Sequence, residues 1–164
     1  MPKSLNDQPF PSLELPLVGG GKLSLPKDLT GSFGVVLIYR GAFCPFCNDQ
    51  MASFQASIKE LTAAGIKVAA VSADDEATAT GFVAKHSLSF KVAYGADVNR
   101  VAAATGSYTG EHNGRPNLES VGFVLAPDGK VIASVYSTRA IGRLAASEVL
   151  RMTAFLKASA KAAT

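Results

Sequence analysis

Cys44 and Cys47 are the chain's two cysteines, and they stand three positions apart in YRGAFCPFCNDQM, Tyr39 to Met51. Thiols at this spacing can be a redox couple, half of a metal site, or two small buried apolar residues. Zinc would need two further ligands. The two histidines, His86 and His112, are far apart and lack an H-x-x-x-H spacing. Neither has a spacing suited to serve as a base for Cys44, which argues against a Cys–His hydrolase. An inert role suits Cys47 better than Cys44, because Cys44 falls where a strand gives way to a helix, directly before a proline. Redox chemistry is the expectation, with no metal and no bound organic cofactor.

The elements on either side say how the pair is held. GVVLIYR, Gly34 to Arg40, is a continuous β-branched and aromatic run, as a central strand covered on both faces requires. From Pro45 to Leu61 a helix is expected, with Cys47, Met51, Phe54, Ile58 and Leu61 on one apolar stripe and Gly65 just past its end. Pro45 then takes the first helical position, where its missing N–H costs nothing, and Cys44 is the N-cap. There the helix dipole and unsatisfied backbone donors favour a thiolate, so the Cys44 pKa should fall. Arg40, four residues earlier, would add positive charge. Cys47 lies a turn further in and should be the more buried and less nucleophilic thiol. Cys44 is therefore expected to attack and Cys47 to resolve the intermediate as a disulfide.

Around this core the chain reads as alternating elements without internal repeats. SLELPLVGGGKLSL suggests an N-terminal hairpin, and IKVAAVSA, Ile66 to Ala73, a second buried strand. Strand, helix and strand from Gly34 to Ala73 make a βαβ unit with a parallel pairing. SADD starts a helix running to His86, with Asp74 and Asp75 read as capping residues. Ser89 to Gly95 is a short strand, and a short helix ends at Gly106. Ser107 to Glu119 reads as a polar connection of functional-loop character. GFVLAPDGKVIASVY is a hairpin turning at Pro127-Asp128-Gly129. A last helix, Gly142 to Lys161, is expected to bury Leu144, Val149, Met152, Phe155 and Leu156. Arg139 and Arg143 flank its start, where an arginine opposes the helix dipole, and a structural salt bridge is expected for them. The whole is one α/β domain over residues 1–164, a mixed central sheet with helices on both faces and an N-terminal β-hairpin extension.

Composition narrows the partners. With 48% apolar and 18% charged residues, the 164-residue chain can bury a core of its own. Its net charge of +3 forms no basic run or aromatic-interleaved face, which argues against nucleic acid. No stretch approaches the roughly 20 apolar residues that span a bilayer, and the polar, proline-punctuated start is unlike a signal peptide. A cytoplasmic location is expected, where a disulfide is transient and catalytic rather than structural.

These segments together resemble the thioredoxin-fold superfamily, in particular its peroxiredoxin-like (AhpC/TSA, redoxin) branch. The likeness runs through LPLVGGGKLSL, VVLIYRGAFCPFC, IKVAAVSAD, VGFVLAPDGKVIASVY and IGRLAASEVLRMTAFLKA. YRGAFCPFC is itself similar to the Y-R-G-x-W-C-P-x-C entry of peroxiredoxin-like proteins. The resemblance implies a thioredoxin-like fold and an antioxidant thiol peroxidase. It implies an external thiol reductant of thioredoxin, glutaredoxin or glutathione type, and a homodimer. Cys44, Cys47 and Arg40 are the implied catalytic residues, with Gly41, Phe43, Pro45, Phe46 and Val121 shaping the substrate pocket. The chain departs from the family's P-x-x-x-T-x-x-C, carrying Leu37 and Gly41 at the Pro and Thr positions. It also has Val121 where the second active-site arginine would fall. Cys44, with Arg40 as substitute cation, is what remains of the usual set. A peroxide substrate, a disulfide substrate and a redox-sensing role without turnover stay open.

Overall fold

The computed structural model describes residues 4–163, so the first three residues of the polar lead and the last residue lie outside the described residues. Leu13–Pro16 (β1) and Lys22–Leu25 (β2) form the expected hairpin, with Leu13 opposite Leu25 and Leu15 opposite Leu23. Gly19, Gly20 and Gly21 at its tip all take positive φ, which side chains rarely adopt. Period-two alternation leaves these four leucines on one face, and all are buried.

Phe33–Ile38 (β3), Ile66–Val71 (β4) and Lys91–Ala93 (β5) are parallel neighbours. Thr109–His112 (β6) and Arg115–Leu118 (β7) form a separate antiparallel hairpin where only a polar connection was expected. Its turn, Asn113-Gly114, has positive φ at both residues, as a two-residue hairpin turn demands. The flanking residues, mostly polar and exposed, lack the apolar alternation that would have revealed the strands. Val121–Leu125 (β8) runs antiparallel to β3, and Val131–Tyr136 (β9) antiparallel to β8. The five-stranded sheet has the order β5-β4-β3-β8-β9 and is of mixed direction, as expected.

The expected helix from Pro45 is broken at Ser57 into Pro45–Ala56 (α1) and Ile58–Ala63 (α2). Serine favours non-helical backbone, and Ser57 has φ −96° and ψ 5°. The stripe survives the break, with Cys47, Met51, Phe54 and Leu61 fully buried. Glu76–His86 (α3) is capped by Asp75 alone, whose Oδ1 accepts from the Thr78 N–H at 2.8 Å. Val98–Thr105 (α4) ends at Gly106, φ 76°. Ala146–Ala162 (α5) begins later than expected, and Phe155 is 70% exposed rather than buried. Ala146, Val149 and Thr153 mark the buried face of α5. Phe155 lies nine residues after Ala146, about two and a half turns, and so points the opposite way.

Helices cover both faces of the sheet. On one, Val36, Ile38, Val71 and Phe123 pack against the hairpin leucines and Val101 of α4. On the other, Val35, Leu37 and Tyr39 pack against Met51, Phe54, Phe82 and Val149, and both cysteines belong to this second layer. Among the described residues no helix is long and apolar enough to cross a membrane.

Candidate active site

Strand β3 ends at Ile38, and after five intervening residues the chain enters α1 with Cys44 as N-cap and Pro45 as first helical residue. The turn between is tight. Gly41 has φ 144°, and a Cβ there would meet Asp74 Oδ1 at 2.8 Å and the Phe43 ring at 2.9 Å. Asp74 does not cap α3 but reaches back, its Oδ2 accepting from the Ala42 N–H at 2.9 Å. Burial raises the Asp74 pKa, against the opposing pull of Ala42 and Ser72. On the other side Asn48 Nδ2 donates to the carbonyls of Ala42 and Cys44, at 2.9 and 2.8 Å. His86 Nε2 lies 2.6 Å from Asn48 Oδ1, so His86 supports this clamp rather than a thiol.

Both sulfur-bearing residues are fully buried, whereas only Cys47 was expected to lie so deep. The Cys44 thiol makes no capping hydrogen bond. Burial pushes its pKa up, but the thiol and backbone of Cys47 and the Arg40 guanidinium outweigh burial, and the net direction is down. Burial pushes Cys47 up to about 11, helped by hydrogen bonding to Cys44. The expected asymmetry between the two thiols is therefore present. Arg40 Nη1 stands 3.8 Å from Cys44 Sγ. Its Nε faces Glu119 Oε2 at 3.2 Å, an ion pair without hydrogen-bond alignment, and the Glu119 side chain is only 7% exposed.

The other pocket candidates are distributed unevenly. Phe43 stacks on His112 of β6 with ring centroids 3.8 Å apart, and Arg40 lies over its ring at 5.4 Å. The β6–β7 hairpin thus closes over the thiol turn, leaving a cavity of about 470 Å³ lined by Arg40, Phe43, Asp74, His112 and Arg115. Pro45 is exposed and Phe46 is 42% exposed beside the thiols. Val121 is buried in the layer opposite the one that holds the cysteines, paired with Ile38 and Tyr136. Two residues that sequence reasoning did not place here are Glu119 and Arg143. Arg143 forms no salt bridge among the described residues; its Nη2 lies 3.4 Å from Cys47 Sγ and 3.7 Å from Cys44 Sγ. Only its position flanking α5 singled it out. Among the described residues no group of three or more His, Cys, Asp or Glu converges to hold a metal ion.

A buried thiol pair between two guanidiniums, with no general base in contact among the described residues, is suited to two-electron sulfur chemistry. Comparison with known proteins agrees. The model of the AhpC/TSA family matches residues 7–134. A peroxiredoxin of Treponema denticola is 28% identical over 159 residues, covering 93% of this chain and 73% of its own. The crystal structure of peroxidoxin BcpB from Mycobacterium tuberculosis superposes with a TM-score of 0.78 at 20% identity, over 93% of this chain and 97% of that one. That of Enterococcus faecalis AhpC gives 0.80 at 18% identity, over 99% and 98%. At these identities the two structures speak for the fold, which is thioredoxin-like.

Proposed function

We propose, for a chain that belongs to the AhpC/TSA family and is a thiol-dependent oxidoreductase, that its substrate is a small hydroperoxide attacked by Cys44. The observation that carries this reading is that neither sulfur is exposed. A protein disulfide must bring its own sulfur into line with the attacking thiolate, which a buried Cys44 resists, whereas a peroxide is small enough to approach from the side of Arg40, which lines the cavity and contacts Cys44.

In the reaction proposed, the Cys44 thiolate attacks one peroxide oxygen and the O–O bond breaks. Cys44 becomes a sulfenic acid, and the departing oxygen leaves as water or an alcohol after taking a proton. Arg40 stabilises the thiolate beforehand and the charge that builds on oxygen during transfer. Cys47 then displaces the sulfenic oxygen as water, closing the Cys44–Cys47 disulfide. An external thiol supplies the two electrons that reopen it.

The test follows consumption of hydrogen peroxide, an alkyl hydroperoxide and a model disulfide by reduced protein with dithiothreitol as reductant. Wild type is expected to turn over the peroxides, and Cys44→Ser to lose all activity. Cys47→Ser should hold a sulfenic acid that dimedone traps. Turnover on the disulfide alone, or activity surviving Cys44→Ser, would overturn the reading.

A further inference from the structure

Arg143 approaches the sulfurs from a part of the chain 96 positions beyond Cys47. It lies in the irregular segment between β9 and α5, and three contacts hold that segment in place. Ser137 Oγ donates to the Gly142 carbonyl, Gln50 Nε2 donates to the Leu144 carbonyl at 3.0 Å, and Leu144 is buried against Gly122. Arg143 Nη1 donates to the Gly142 carbonyl at 3.2 Å, while its buried Nε meets no acceptor among the described residues. Among the described residues no carboxylate neutralises it.

The two guanidiniums are not equivalent. Arg40 is paired with Glu119, and of the two sulfurs its guanidinium meets that of Cys44, at 3.8 Å. Arg143 carries its charge uncompensated and lies nearer Cys47 than Cys44. The second chemical step needs a charge at Cys47, which must shed its proton to become nucleophilic. Burial is the largest influence holding that proton on, and hydrogen bonding to Cys44 and the Cys44 charge add to it. Both Cys44 contributions are altered once Cys44 has become a sulfenic acid. Burial persists, and Arg143 is then the side-chain cation that opposes it, beside the backbone N–H of Arg40.

We propose that Arg143 is a catalytic residue of disulfide closure, stabilising the Cys47 thiolate as it attacks Cys44, while Arg40 serves the first step. The proposal rests on the peroxide reading for its setting, but the step itself is more general. The Cys47 thiolate attacks the Cys44 sulfenyl sulfur, the S–S bond forms and the S–O bond breaks. The departing hydroxide takes up the proton that Cys47 gave, leaving as water. No oxidant beyond the peroxide already consumed is needed.

The experiment uses 4,4′-dithiodipyridine, a neutral disulfide that reports each step by release of thiopyridone, alongside stopped-flow mixing with hydrogen peroxide. The first release marks attack by Cys44, and the second marks Cys47 displacing the mixed disulfide. In Arg143→Gln the second phase should slow about tenfold to hundredfold at neutral pH, the range for loss of a charged hydrogen bond. The first phase should change much less. The deficit should shrink at alkaline pH, where Cys47 ionises unaided, and Arg143→Lys should restore part of the rate. With peroxide, the same variant should accumulate dimedone-trappable Cys44 sulfenic acid and, with excess peroxide, sulfinic acid.

A second phase at the wild-type rate would overturn the proposal. So would a deficit equal at every pH and unrelieved by lysine, which is the mark of a merely structural role. If the second phase behaves as expected but peroxide forms no sulfenic acid in any variant, the Arg143 assignment stands and the peroxide reading fails.

Discussion

At the level of single residues, the site depends on unequal treatment of two sulfurs in one helical turn. Cys44 is drawn toward its thiolate although it is buried, because Cys47 and Arg40 together outweigh burial. The pH dependence follows with a definite sign. Reactivity rises as pH passes through the Cys44 pKa, and a lowered pKa keeps the thiolate populated below the ordinary thiol range. Removing the Arg40 charge moves that curve to higher pH. Arg40→Gln, combined with Glu119→Gln so that no buried carboxylate is left unpaired, should slow Cys44 alkylation about threefold to tenfold at neutral pH. The alkaline plateau should be unchanged. Iodoacetamide labelling read by mass spectrometry across pH checks this, and an unshifted midpoint would remove Arg40 from the site.

At the level of elements, the thiol turn is an accessory of two helices. Asn48, in the first turns of α1, binds the carbonyls of Ala42 and Cys44, and its own oxygen faces His86 at the end of α3. Burial lowers the His86 pKa, and because its Nε2 faces an acceptor the ring donates from that nitrogen. The clamp therefore does not depend on His86 being charged. Asn48→Ala leaves two carbonyls without this donor and should cost about 1–3 kcal/mol, measured by urea unfolding. Cys44 should also label faster with bulky alkylating agents, since the turn is no longer held shut. Wild-type stability with wild-type labelling would mean that Asp74, which secures Ala42 from the other side, is sufficient alone.

Across the whole molecule, the segment that carries Arg143 is positioned by the sheet. Gly122 on β8 has no side chain because Leu144 occupies that space, and a Cβ there would come within 2.5 Å of Leu144 Cβ. Gly122→Ala should therefore push Leu144, and Arg143 beside it, away from the thiols. About 1–3 kcal/mol of stability should be lost to overpacking, and disulfide closure should slow as in Arg143→Gln. Urea unfolding and the two-phase thiopyridone assay measure the two effects. Loss of stability with closure intact would show that Leu144 does not hold Arg143 in register.

Local sequence determined the sheet strands, the N-terminal hairpin and the entry of Cys44-Pro45 into α1, because hydrophobic period and proline or glycine geometry act over a few residues. It also set Cys44 at the helix cap and Cys47 on the stripe one turn further in, which gives the two thiols unlike surroundings. It did not reveal β6–β7, whose polar residues lack an apolar period, nor the break at Ser57, across which the stripe runs on. The outward turn of Phe155 was hidden because an apolar residue was counted without its angular position. The surroundings of the thiols were decided only by tertiary structure. Val121 is buried in the opposite layer, while Glu119 pairs with Arg40, His112 covers Phe43, and Arg143 reaches both sulfurs from the far end of the chain. The physical reason is that a charge acts through a few ångströms of space, and nothing in the local pattern around Arg143 records which sulfur the folded chain will bring within its reach.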